Sequence, residues 1–189
     1  MGFSVNSVVR STGRSTRRSP RKVVAAILSG AMLSLVALAP AAHAGPTTTT
    51  FTLTGGSLSI SSPATANLGS AAAGALTLTG SLGQNTVTDT RGALLGWTAS
   101  VISTDFAGPS ETTVSAASAS YAPGTVSKTG TVTALPGAGA PMLVSQPAVV
   151  ATAVIGNNTA SWTPNVTVTL LQAQSLAGTY TATVTHSVA

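Results

Sequence analysis

From Thr179 to Val188 the chain carries Ser or Thr at every second position. Thr179, Thr181, Thr183, Thr185 and Ser187 fall on one side, and Tyr180, Ala182, Val184, His186 and Val188 on the other. A period of two belongs to a β-strand, because successive side chains point to opposite faces; a helix would scatter the same residues around its axis. The β-branched Thr and Val favour the extended backbone as well.

Weaker versions of this pattern recur along the chain. Phe51-Thr52-Leu53-Thr54 and Ser57-Leu58-Ser59-Ile60-Ser61 alternate on either side of Gly55-Gly56. That spacing predicts a two-residue hairpin, with a bulge in one continuous strand as the alternative. Pro63 ends the strand, and the small residues of 64–74 cross between layers. Further strands are predicted at Ala75–Thr79, Val87–Thr90, Trp97–Thr104 and Val166–Leu171. In Trp97–Thr104, Trp97, Ala99 and Val101 share a face. Ala148–Ile155 is an apolar run of strand length, followed by an expected turn at Gly156-Asn157-Asn158. The Gly/Ser/Ala/Pro-rich region 107–141 predicts a less ordered stretch, with strand-like pieces at Thr112–Ser115 and Thr131–Ala134. Many short strands without an amphipathic helix predict an all-β fold, an Ig-like β-sandwich or a partly closed barrel of antiparallel strands.

The N-terminal 44 residues have a different character. Arg10, Arg14, Arg17, Arg18, Arg21 and Lys22 precede an apolar run over 23–39, then Pro40 and Ala42-His43-Ala44. A basic segment, an apolar segment and a small-x-small site are the layout of a helical secretory signal peptide cleaved after Ala44. The apolar run falls short of the roughly 20 residues that span a bilayer. Arg17-Arg18 hints at twin-arginine export, but the general secretory route is the default expectation. Residues 45–189 are then expected to form a single exported domain.

Six of the eight basic residues lie in that segment, leaving Arg91 and Lys128 against Asp89, Asp105 and Glu111, a net charge of −1. Two cations cannot form a nucleic-acid-binding patch, and with the signal removed no membrane partner is expected. The chain has no cysteine, so its core must hold it without disulfides. Exposed strand edges are usually guarded by Lys or Glu. So few charges imply edges that close on themselves or pair with another chain.

Little catalytic chemistry is on offer. His186 is the only imidazole beyond the signal segment and sits on the apolar side of a strand. No G-x-S-x-G motif accompanies it, and one histidine with scattered carboxylates gives no metal-ligand spacing. No enzyme, cofactor or metal is expected. Asp89 and Arg91, two apart on a strand, share a face beside the Gly92 turn, as a structural ion pair or a polar ligand contact. Trp97 and Trp162 read as core residues, with stacking on sugar rings as the alternative.

The stretch Val87-Thr88-Asp89-Thr90-Arg91-Gly92, followed by Gly96-Trp97-Thr98-Ala99 and the strand to Phe106, resembles the first half of the WxL domain family, in which a D-x-R-G turn leads into G-W-x-L. Ala177–Val188 resembles that family's closing strand, which usually carries a second W-x-L. Here alanine stands for leucine in Trp97-Thr98-Ala99, and histidine for tryptophan in His186-Ser187-Val188. The resemblance implies a secreted, non-enzymatic surface protein of a Gram-positive bacterium, and the Ala/Gly-rich, lysine-poor composition suggests an actinobacterium. It also implies non-covalent association with a cell-wall polymer, peptidoglycan being the candidate. Asp89, Arg91, Gly92, Gly96, Trp97, Tyr180 and His186 are the candidate contact or motif residues. The alternative expectation is a structural or adhesive subunit that contacts other surface proteins through β-strand pairing.

Overall fold

The computed structural model describes residues 46–189. The expected signal peptide, with Ala42 and Ala44 at its cleavage site, lies outside the described residues. Thr50–Ala189 forms one compact unit.

Among the described residues twelve strands follow one another: β1 (Leu58–Ser61), β2 (Thr77–Ser81), β3 (Asn85–Asp89), β4 (Trp97–Ser103), β5 (Phe106–Ala107), β6 (Thr113–Val114), β7 (Ala119–Ala122), β8 (Val126–Pro136), β9 (Ala140–Pro141), β10 (Gln146–Trp162), β11 (Asn165–Thr169) and β12 (Val184–Val188). Three 3-10 turns are the only helical pieces among them. The fold is all-β and antiparallel, as the alternation predicts.

The long strand β10 organises the larger sheet. Its first half pairs with β4, from Gln146 opposite Val101 to Ala151 opposite Trp97. Its second half pairs with β3, from Asn158 opposite Asp89 to Trp162 opposite Asn85. β8 follows the other edge along both halves. β3 and β4 therefore lie one after the other along a single edge of β10, separated by the excursion 90–96. β1 adds to β3 and β12 adds to β4. These two ends of the sheet approach within 8 Å (Cα–Cα) without pairing, which leaves the sheet short of closure. The second sheet runs β2-β11-β7-β9 and packs across the first, and β5 pairs with β6 as a small ribbon.

β10 can serve both halves because it is bulged. Its register against β8 shifts between Thr152 and Ile155 and again between Ile155 and Thr159. Ala153 (φ 50°) and Gly156 (φ 70°) take left-handed conformations there, and extra residues of this kind bend and twist a strand. The predicted turn at Gly156-Asn157-Asn158 is thus a bulge inside one strand. The Gly-Gly hairpin is also corrected: residues 51–57 form no strand. Gly56 N–H donates to Thr90 O at 2.8 Å and Thr90 N–H to Ser57 O at 2.8 Å, which prolongs the β1–β3 pairing. A Cβ at Gly56 would meet the Thr90 side chain at 2.2 Å, so glycine is needed for close approach and not for a reversal. Residues 107–141, expected to be less ordered, carry β6 to β8 and most of the ribbon and edge strands around them. There much of the inner face is alanine, which carries little hydrophobic signal, with Ala116, Ala119 and Ala134 buried beside Tyr121 and Val132.

The core lies between the sheets. Val87, Val101, Val149 and Val166 interleave with Trp162, Tyr121 and Met142, all fully buried. Trp97, Ala99 and Val101 point inward together, as their spacing predicts.

Candidate functional site

The excursion between β3 and β4, with the strand ends that flank it, gathers five of the seven candidate residues. Asp89, the last residue of β3, is buried. Its carboxylate accepts from Arg91 Nε at 2.9 Å, from Arg91 Nη2 at 3.0 Å and from the Arg91 backbone N–H at 3.0 Å. The two-pronged contact holds the guanidinium in one orientation. From there Arg91 Nη2 donates to the carbonyls of Leu95 and Gly96, each at 3.3 Å. A single side chain so ties both ends of the excursion together. The hydrogen bond from Arg91 is the main reason that Asp89 titrates below the usual carboxylate range. The same bond raises Arg91.

The network continues inward through Asn158 on β10. Its Nδ2 donates to Asp89 Oδ2 at 3.3 Å, and its Oδ1 accepts from Trp97 Nε1 at 3.1 Å. Trp97 is 3% exposed. Of its two expected roles, core residue and stacking platform, the position allows the first, because neither face of the ring reaches solvent. Trp162 is buried in the same way. Gly92 turns the chain at φ 65°. Gly96 lies so close to β10 that a Cβ there would sit 2.4 Å from Ala151 O. What the excursion presents to solvent is Leu94 and Leu95, 77% and 66% exposed.

Tyr180 and His186 belong elsewhere. They line a cleft of about 1120 Å³ between β12 and the β2–β11 side of the second sheet, with Leu78, Phe106, Val168 and Val184 among the walls. The segment 62–75 covers part of it. Tyr180 Oη holds the loop before β12, donating to Gln174 O and accepting from Leu176 N–H at 3.2 Å. His186 Nε2 lies 3.1 Å from Tyr121 Oη, which in turn accepts from Trp162 Nε1 at 2.8 Å. Burial lowers His186 and pushes Tyr121 up to about 12. The imidazole is therefore neutral at pH 7 and the phenol protonated, the state in which Tyr121 donates to Nε2.

The candidate residues thus divide between a rigid, hydrogen-bonded excursion and an apolar cleft with one imidazole. The one imidazole faces a buried phenol that also accepts from Trp162, and among the described residues no three of His, Cys, Asp and Glu come together. Two members were not legible in the sequence. Asn158 sits within Asn157-Asn158, which reads as a turn, and Tyr121 lies in the Ser/Ala-rich region that reads as loose. Comparison of the chain with family models, curated proteins and solved structures gives no match.

Proposed function

We propose that this protein is a non-enzymatic β-sandwich of the bacterial cell surface that acts as a structural subunit, assembling by strand pairing. The observation that carries this reading is the chemistry of its open edges. β1 (LSIS), β2 (TLTGS) and β12 (VTHSV) each leave one edge unpaired and contain no Lys, Arg, Asp or Glu. Edges that must stay monomeric are normally blunted by charge, proline or bulges. β8 follows that rule, with Lys128, Gly130 and Pro136 along its length. The signal-peptide layout of residues 1–44 supports a surface location. Sedimentation of the full chain across a concentration series tests the reading: concentration-dependent species larger than a monomer are expected, and a strict monomer throughout would sink it.

The exposed leucine pair favours a second reading. The WxL-like stretches of the sequence support association with a cell-wall polymer, and in that case Leu94 and Leu95 make the contact, with Asp89–Arg91 as the brace. Co-sedimentation with purified Gram-positive cell walls is then weakened by Leu94→Ser with Leu95→Ser while the fold is kept. Equal pelleting of both proteins would remove this reading.

A further inference from the structure

We infer that the free edge of β12 is completed by the N-terminal arm of a second copy of this chain: residues 47–54 of one molecule enter the cleft of the next and add a strand beside β12. This rests on the assembly reading above and names its partner.

The arm has the pattern of a strand and none of its pairing. Phe51-Thr52-Leu53-Thr54 alternates, yet Phe51 and Leu53 are each 86% exposed, and no strand is formed between residues 46 and 57. Two large apolar side chains, two positions apart on a free segment, have no burial within their own molecule. At its base Gly55 and Gly56 pass so close to Thr90–Arg91 that a Cβ would meet backbone or side-chain atoms at 2.6 and 2.2 Å, and the Gly56 hydrogen bond to Thr90 fixes an extended course past β3.

The cleft has the matching deficit. It lies where the larger sheet falls short of closure, between β12 and the second sheet. About 1120 Å³ exceeds the roughly 300–1,000 Å³ of a small-ligand pocket and suits a run of side chains. All of Thr179–His186 lines it, and within β12 Val184 and His186 are half-buried while Thr185 is exposed. A strand added to that edge in register directs Phe51 and Leu53 inward and sets Thr52 and Thr54 on the threonine face. Lengths agree as well: Thr179–His186, which lines the cleft, and residues 47–54 are both eight residues, about 26 Å when extended. No charge on either side has to be stripped of water. An arm given to one neighbour and a cleft filled by another is a head-to-tail contact, which generates open filaments or rings.

The absence of native cysteine makes the test direct. The full chain, produced in a Gram-positive secretion host and recovered from whichever fraction holds it, is prepared with Leu53→Cys combined in turn with Ala182→Cys and Val184→Cys, then oxidised. A ladder of covalent multimers on a non-reducing gel is expected. Mixing the Leu53→Cys single variant with the Val184→Cys single variant should give dimers only. Phe51→Asp with Leu53→Asp should raise the concentration needed for assembly at least tenfold without altering the circular dichroism spectrum, since both side chains lie outside the core. A crosslinked species of monomer mass would overturn the inference, placing the arm in its own cleft. Absence of crosslinks in a protein that still assembles would also overturn it, leaving strand pairing at another edge. Absence of both crosslinks and assembly would remove the assembly reading together with the inference.

Discussion

The indole N–H of Trp162 meets the hydroxyl oxygen of Tyr121 at 2.8 Å, from the last residue of β10 in one sheet to β7 in the other. The same hydroxyl reaches His186 Nε2 at 3.1 Å, back on the larger sheet. A row of three polar atoms therefore joins the two layers inside an apolar interior, where a satisfied hydrogen bond is strong and a broken one costly.

That row makes stability depend on pH through His186. Burial lowers its folded-state pKa below the ordinary 6.5, so the unfolded chain takes up a proton more readily. Stability is complete above the unfolded value and declines as the pH falls from there toward the folded one. Urea denaturation from about pH 7.5 to about pH 4.5 should show this decline, and His186→Phe should flatten it. Asp89 acts in a lower window. Its pKa is depressed from 3.8, so its contribution is present above that value and is lost only as the pH falls through the folded value.

Asn158 carries both the Trp97 indole and one oxygen of Asp89. Asn158→Ala leaves two buried polar groups without that partner, and the penalty for one such group is about 1–3 kcal/mol. The unfolding free energy from chemical denaturation should fall by at least that amount, with a lower midpoint at unchanged slope. Asn158→Asp should be worse, since it sets a second carboxylate against Asp89.

Trp97→Ala is expected to destabilise by about 3–5 kcal/mol, the usual cost of emptying a buried tryptophan site. Trp97→Phe keeps most of the packing and loses the N–H, so it should cost much less. If Trp97→Ala abolished binding to any partner while Trp97→Phe kept it, lost folding would be the cause. Calorimetry of both variants separates the cases.

Asn85 stands fully buried at the start of β3, and neither atom of its amide has a hydrogen-bond partner within the protein. Asn85→Leu replaces an unsatisfied polar group with an apolar one of similar size. Stability should rise, by about 1 kcal/mol or more, read as a higher melting temperature.

Where burial is one-sided, the strands were legible in the sequence. In β4 Trp97 and Val101 mark the inner face and the strand lies within a residue of the prediction; of the strand predicted over Thr179–Val188 only Val184–Val188 pairs as β12, with Thr181 held to Ala107 by an isolated bridge. The reading weakened where the inner face is built from alanine, as around Ala116 and Ala119, because alanine carries little hydrophobic signal. It failed at Gly55-Gly56 and at Gly156-Asn157-Asn158. There the glycine and asparagine that usually reverse a chain serve close approach and a bulge, choices made by contacts with Thr90, Thr129 and Asp89 far away in sequence. The Asp89–Arg91 pairing was legible from the two-residue spacing. The cleft was not, since it arises from the unclosed seam between β1 and β12 and from no local motif.

Because β3 and β4 share one edge of β10, the seven residues from Thr90 to Gly96 interrupt what is otherwise one continuous course of pairing. Their anchors are fixed on either side, at Asp89 opposite Asn158 and at Trp97 opposite Ala151. The excursion is therefore an interchangeable cassette. Its outward residues can drift or be exchanged for a foreign peptide while the topology stays as it is, provided that Asp89, Arg91 and Gly96 are retained at its boundaries. Natural variation among proteins of this architecture should concentrate there, and a scaffold for displaying short sequences is available at the same place.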